Sequence, residues 1–235
     1  MLKNLAREHL VRGLKGGISR VLQNCEGCKL GKAHDKPHPR REAGPGEQVC
    51  LGGVSVDLAG PFNPASIGGG VYNMVLVDEH NRKSWVEILR SKDDAAPRLK
   101  QWIAIWERQA GKPVKNLRSD RGGEFIDGDL QKWLKNRGIR HETTPPNTPQ
   151  GNAITERMNR TLQDRARSML LHMQLPPGLW AEAISLASYL RNRCQVSGLP
   201  RTPEEMWSGE VPKVDFDHSA AKFMCDWRNK IGLGK

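Results

Sequence analysis

The chain has 235 residues, with 37 Lys+Arg against 26 Asp+Glu and a formal net charge of +11. That length holds one core and a small appendage, and that charge favours a polyanionic partner, nucleic acid before others. Five cysteines, an odd number, do not look like a disulfide framework. The opening residues lack the apolar run of a signal peptide, and no stretch reaches the roughly 20 apolar residues of a membrane helix. The expectation is a soluble intracellular protein with reduced thiols and no membrane partner.

Residues 1–45 read as a small basic segment around Cys25-Glu26-Gly27-Cys28, closed by a proline-rich linker from His34 to Pro45. The core is expected over 46–195 and a less regular extension over 196–235. Gly53 to Leu58 reads as a strand stopped by Gly60-Pro61. Tyr72 to Val77 and Ser84 to Leu89 read as two more, joined by a turn over 78–83, so the three form an antiparallel meander. Residues 93–110 read as a helix with Leu99, Trp102, Ile103 and Trp106 on one face, ended by Gly111 and Pro113. Val114 to Arg118 is a fourth strand with Asp120 just past its end. A short helix spans Leu130 to Asn136, and Ile139 to Thr144 is a fifth strand.

Pro145 to Asn152 is rich in turn residues and reads as a loop. A long helix follows over about 153–173, with Ile154, Met158, Leu162, Ala166, Met169 and Met173 as its buried stripe. Glu156, Arg160, Gln163 and Arg167 share a different, polar face. A last helix, Trp180 to Cys194, turns Trp180, Ile184, Ala187 and either Leu186 or Leu190 inward. This order of elements predicts a mixed α/β sheet flanked by helices.

Asp57, Asp120 and Glu156 then fall at a strand, a strand end and a helix start. Each has a plain structural reading: Asp57 and Asp120 as turn residues, Glu156 as a partner of the helix dipole. Taken together they suit a hard divalent cation, which prefers oxygen ligands and keeps several waters. Two such ions about 3.5–4 Å apart can serve an in-line displacement at phosphorus, and three acids suffice if one bridges both ions. Asp57, within the sheet, is the expected bridge. Bare carboxylates would repel one another without such cations.

Four stretches carry a resemblance. They are Val56 to Pro61, Leu117 to Phe125, Thr148 to Leu162, and Ala183 to Arg193 with Thr202 to Trp207. Together they resemble the integrases of copia-like LTR retrotransposons, a retroviral-type family. The resemblance covers nearly the whole chain, and its specificity lies in the set of motifs rather than in any one. It implies an RNase H-like fold, with a five-stranded mixed sheet flanked by helices and preceded by a truncated Cys-x2-Cys segment. It implies Asp57, Asp120 and Glu156 as a catalytic and metal-binding triad using two Mg²⁺ or Mn²⁺ ions. The implied chemistry is 3′-end processing of element DNA followed by strand transfer into target DNA. It also implies a homo-oligomer working in the nucleus, with RNA as a further possible partner.

Arg157, Arg160, Gln163 and Arg167 would lie beside Glu156 and grip DNA phosphates, or else form a solvated helix face. Cys25 and Cys28 match the second half of the family's His-His-Cys-Cys zinc module, whose histidines should lie upstream of Leu5. His9 does not fall at a ligand position, while His34 and His38 could substitute; the Zn²⁺ site is therefore expected to be incomplete. Two departures stand out. The family's Gln-Asn-Gly before the last acid is here Gly151-Asn152-Ala153, and Arg121 stands where Asn is common. These features leave three functional readings: an active DNA strand transferase, a catalytically silent nucleic-acid-binding relic of a transposable element, and an unrelated RNase H-like nuclease.

Overall fold

The computed structural model describes residues 11–12, 49–143 and 153–215. The expected zinc segment with Cys25 and Cys28, the linker, and the 145–152 loop lie outside them. The described residues fall into two compact units, one ending at Arg160 and the other beginning at Thr161 and including Val11–Arg12.

The first unit is built on five strands: β1 (Gly53–Ala59), β2 (Tyr72–Asp78), β3 (Ser84–Leu89), β4 (Asn116–Ser119) and β5 (Arg140–Thr143). Their order across the sheet is β3-β2-β1-β4-β5. The β1–β2 and β2–β3 pairs are antiparallel, whereas β4 and β5 run parallel to β1. The mixed five-stranded sheet expected from the element order is therefore present. The parallel strands arrive by helical crossovers, α1 (Ala95–Ala110) before β4 and α3 (Gly128–Asn136) before β5.

Register sorts the side chains onto two faces. Val56 of β1 stands opposite Leu76, and Leu76 opposite Trp85. Val56 and Leu76 are fully buried. On this face α1 packs through Trp85, whose ring lies 4.8 Å from Trp106 and 6.4 Å from Trp102. Ala95, Leu99, Ile103 and Trp106 are the buried residues of α1. Gly111 closes the helix in the left-handed conformation, at φ 63°. The opposite face carries Ser55, Asp57 and Ala59 of β1 beside Val77, Val75 and Asn73 of β2.

Strand β1 ends because Gly60 turns away at φ 132°, where a Cβ would lie 2.6 Å from the Val71 carbonyl oxygen. At the other end of the hairpin, the buried Asp78 carboxylate accepts the amides of Leu51, His80 and Asn81 at 2.7, 3.0 and 2.9 Å. That ties the turn after β2 to the chain entering β1.

The long helix, α4 (Ala153–Met173), matches its expected span. Its stripe differs. Met158, Leu162 and Ala166 are buried, but Ile154, Met169 and Met173 are only half-buried, and Thr155, Asn159 and Ser168 are buried instead. In the first unit the reason is that α4 starts over the polar face of β1, where Asn159 meets Asp57. In the second unit, α5 (Trp180–Asn192) buries Trp180, Ile184, Leu186 and Ala187, so Leu186 and not the half-buried Leu190 is the inward leucine.

Two helices were not anticipated. One is the single turn α2 (Gly123–Ile126), and the other is α6 (Pro203–Ser208), capped by the Thr202 hydroxyl accepting the Glu205 amide at 3.2 Å. Val11–Arg12 pairs in parallel with Val214–Asp215. Among the described residues, no helix is long and apolar enough to cross a membrane, and Cys50 and Cys194 are free thiols. Burial, with Asp78 nearby, pushes the Cys50 thiol up to about 11.

Candidate active site

The three acids all belong to the first unit. β1 and β4 run parallel with Ser55 level with Arg118. Two residues further along each strand stand Asp57 and Asp120, so the register carries the two carboxylates to one level on one face. β4 has ended by then at Ser119, and Asp120 is held by its own turn. Its Oδ1 accepts the Gly122 amide at 3.0 Å, an Asx-type bond that aspartate favours at such positions. Glu156 lies in the first turn of α4 and is exposed.

The buried Asn159 stands one turn after Glu156. Its side-chain amide donates to Asp57 Oδ2, and its Oδ1 accepts from Asn73 Nδ2 at 3.3 Å. Asn73 is fully buried on β2, beside Ala59. An amide relay thus runs from the second strand through the helix to the carboxylate of the first. It docks the start of α4 over Asp57.

The electrostatics agree with that geometry. Burial raises the Asp57 carboxyl above its ordinary range. The Asn159 hydrogen bond opposes the rise, and the charges of Asp120 and Glu156 add to it. Asp57 therefore senses both other acids. A hard cation would relieve that repulsion, and an all-oxygen donor set is what Mg²⁺ or Mn²⁺ prefers. Asn73 Oδ1, buried and without a hydrogen-bond partner, is a surplus acceptor one link from Asp57. The donor set fits the implied metal. Even so, among the described residues no three His, Cys, Asp or Glu side chains stand close enough to hold an ion as they are.

Of the expected DNA-gripping residues, Arg157, Arg160 and Arg167 are exposed and Gln163 is half-buried. Arg157 and Arg160 lie in the unit that holds the acids, whereas Gln163 and Arg167 lie in the other. Arg157 Nε also donates to the Ala153 carbonyl at 2.7 Å. Sequence reasoning gave no role to Asn159 or Asn73. Asn159 lay inside a motif already singled out, but nothing local marks Asn73, 86 residues away.

On the same sheet face, Arg118 makes a paired bond to Glu79, 2.6 and 2.7 Å, and a second bond to Glu142 at 2.8 Å. Ser55 also donates to Glu79. This ion cluster occupies the floor of the sheet next to Asp57 and neutralises Glu79, which is only 3% exposed.

The mixed sheet in this order has one acid on β1, a second level with it just past the end of β4, and a third in the first turn of α4. Residues 52–149 match the family model described as the integrase core domain, and the chain carries such a domain. It is of the copia type found in retrotransposon Pol polyproteins. It is 36% identical over 218 residues, 92% of its length, to the retrovirus-related Pol polyprotein of transposon TNT 1-94 from Nicotiana tabacum. It is 28% identical over 84% of its length to the polyprotein of transposon RE2 from Arabidopsis thaliana. The chain spans only 16% and 13% of those two polyproteins.

Two solved structures share the fold. A chain of the simian T-cell lymphotropic virus intasome, in complex with the PP2A regulatory subunit B56 gamma, aligns with a TM-score of 0.55 at 19% identity, over 79% of this chain and 64% of that one. The catalytic core domain of BIV integrase aligns with a TM-score of 0.50 at 21% identity, over 67% of this chain and 93% of that one. The fold is RNase H-like.

Proposed function

We propose that this chain is a metal-dependent DNA strand-processing and strand-transfer core, with Asp57, Asp120 and Glu156 as its catalytic and metal-binding acids. The observation that carries this is the parallel register that sets Asp57 level with Asp120, with the first turns of α4, which hold Glu156, tied to Asp57 through Asn159. The carboxyl of the half-buried Asp57 is raised by burial and by the charges of the other two. Asp57 would bridge two Mg²⁺ or Mn²⁺ ions, with Asp120 and Glu156 each completing one of the two positions. Bound ions would polarise the scissile phosphate and neutralise charge on the attacking and leaving oxygens. Glu156, exposed in the first turn of α4, is free to rotate inward to complete the ligand set. Asn159 holds Asp57 Oδ2 and so orients its carboxylate.

Arg157, Arg160, Gln163 and Arg167 would bind the phosphates of element ends and target DNA, positioning strands rather than reading bases. A copy of the chain working on paired DNA ends in the nucleus would do so as a homo-oligomer. Cys25 and Cys28 remain proposed zinc ligands that need two further donors.

The test is cleavage and joining of a labelled oligonucleotide in Mg²⁺ or Mn²⁺. The wild-type chain should nick or join strands, and Asp120→Asn should abolish this. Activity unchanged by that substitution would sink the reading.

A second reading is favoured by the absence of a ready three-ligand cluster among the described residues. It makes the chain a silent nucleic-acid binder. It predicts salt-sensitive DNA binding with no cleavage at any metal concentration.

A further inference from the structure

His141 lies at the middle of β5, on the sheet face away from Asp57, and the proposed chemistry assigns it nothing. Its two ring nitrogens are both engaged. Nε2 is 2.9 Å from Ser119 Oγ, and Nδ1 is 2.6 Å from Gln131 Nε2. Ser119 is fully buried at the end of β4, and its hydroxyl donates to the Asp120 carbonyl at 2.7 Å. Gln131, on α3, also donates through the same nitrogen to the Phe125 carbonyl at 3.0 Å.

Proton counting gives this chain one direction. The Phe125 carbonyl can only accept, so the Gln131 group facing it is the NH₂. That same NH₂ has a second hydrogen for His141 Nδ1, which must then be bare. The Ser119 hydroxyl spends its single hydrogen on the Asp120 carbonyl, so its oxygen must accept from His141 Nε2–H. One neutral tautomer satisfies every group; the imidazolium would set a ring N–H against the Gln131 NH₂. Burial also pushes the His141 pKa below its ordinary 6.5, which keeps the ring neutral.

The two ends of this chain are the two ends of one segment. Asp120 starts the turn that follows β4, and Phe125, fully buried, sits in α2. Asp120 is beyond the sheet ladder, so β4 pairing alone does not hold its main chain.

We propose that His141, as the Nε2–H tautomer, is a positioning residue that clamps the Asp120–Phe125 turn through Ser119 and Gln131 and so sets the aim of the Asp120 carboxylate. This rests on the reading of Asp120 as a catalytic acid. The side chain stands on the sheet face away from Asp57 and acts through the backbone that carries Asp120.

The experiment combines ¹⁵N NMR of the full chain with steady-state strand cleavage. The imidazole shifts should report a protonated Nε2 and a bare Nδ1 at neutral pH. His141→Leu and Ser119→Ala should each displace the Asp120 and Gly122 amide signals. Each should lower kcat by about tenfold or more, since small misplacements at a reacting centre are costly, with KM for DNA within about twofold. The double variant should be no worse than the poorer single one, as expected for groups acting as a unit. His141→Gln, which can still donate to Ser119, should recover most of kcat and keeps the test open if the leucine variant folds poorly. A Nδ1–H tautomer or imidazolium, unmoved Asp120 and Gly122 signals, or a loss confined to KM would overturn the proposal. If the wild-type chain proves inactive, the strand-transfer reading fails, while the tautomer and the amide shifts still decide whether the clamp exists.

Discussion

Asp57 is half-buried on the polar face of β1 with Asp120 level beside it, and a neutral residue there would relieve both burial and repulsion. Its carboxyl is raised in the folded chain, so the folded state holds that proton more tightly than the unfolded one. Such a group contributes stability below its unfolded pKa, near 3.9, and loses it as pH rises through the folded value. Asp57→Asn should therefore be more heat-stable than wild type at neutral pH, by about 2–4 °C for each kcal/mol relieved. The advantage should shrink as pH falls towards 4, as differential scanning calorimetry at several pH values would show. Mg²⁺ should raise the melting temperature of the wild type but not of Asp57→Asn. Asn159→Ala should remove the one side-chain bond that opposes the rise at Asp57. Strand cleavage should fall by about tenfold to a hundredfold, by analogy with loss of partners that orient metal ligands, with circular dichroism unchanged. The acids were legible because each stands in a distinctive local stretch. Asn73, Ser119 and His141 were not, because their partners are distant in sequence and hydrogen-bond chains leave no periodic pattern.

At the scale of elements, the sheet is held partly by apolar packing and partly by one ion cluster. Strand β4 delivers Arg118 to Glu79, and β5 delivers Glu142 to the same guanidinium. Arg118→Ala would remove the guanidinium hydrogen-bonded to the almost fully buried Glu79, leaving, of its charge interactions among the described residues, only that with Arg82. Removing one partner of a buried pair costs about 3–5 kcal/mol; Arg118 is 29% exposed, so the lower end is expected in urea denaturation. Restoring neutrality with Glu79→Gln in the same chain should recover part of that loss. The strands of the meander were readable because β2 contains the apolar run Met74 to Val77 and β3 is bounded by turn residues. Helix α1 was readable from the three- and four-residue spacing of Leu99, Ile103 and Trp106. The stripe of α4 was misjudged at Ile154 because the start of the helix turns the polar Thr155 and Asn159 inward instead, Asn159 onto Asp57 of β1. Helix α6 carried a legible start, Thr202-Pro203 followed by Glu205, but its six residues are too short for periodicity to show.

For the whole molecule, the excess of 37 basic over 26 acidic residues points to binding dominated by phosphate contacts and hence by salt. Arg160→Ala and Arg167→Ala should each weaken DNA binding about equally on unrelated sequences, and each should reduce the salt slope by about one. Fluorescence anisotropy across a salt series measures both. Composition alone pointed to nucleic acid, and it could not distinguish a binder from an enzyme. That distinction lies in whether three acids on β1, after β4 and on α4 gather around metal. Diffraction from Mn²⁺-soaked crystals, read through the anomalous signal, tests this most directly. Two peaks about 3.5–4 Å apart, both within ligand distance of Asp57 and flanked by Asp120 and Glu156, are the predicted result. Anomalous maps empty around Asp57 at saturating Mn²⁺ would contradict it.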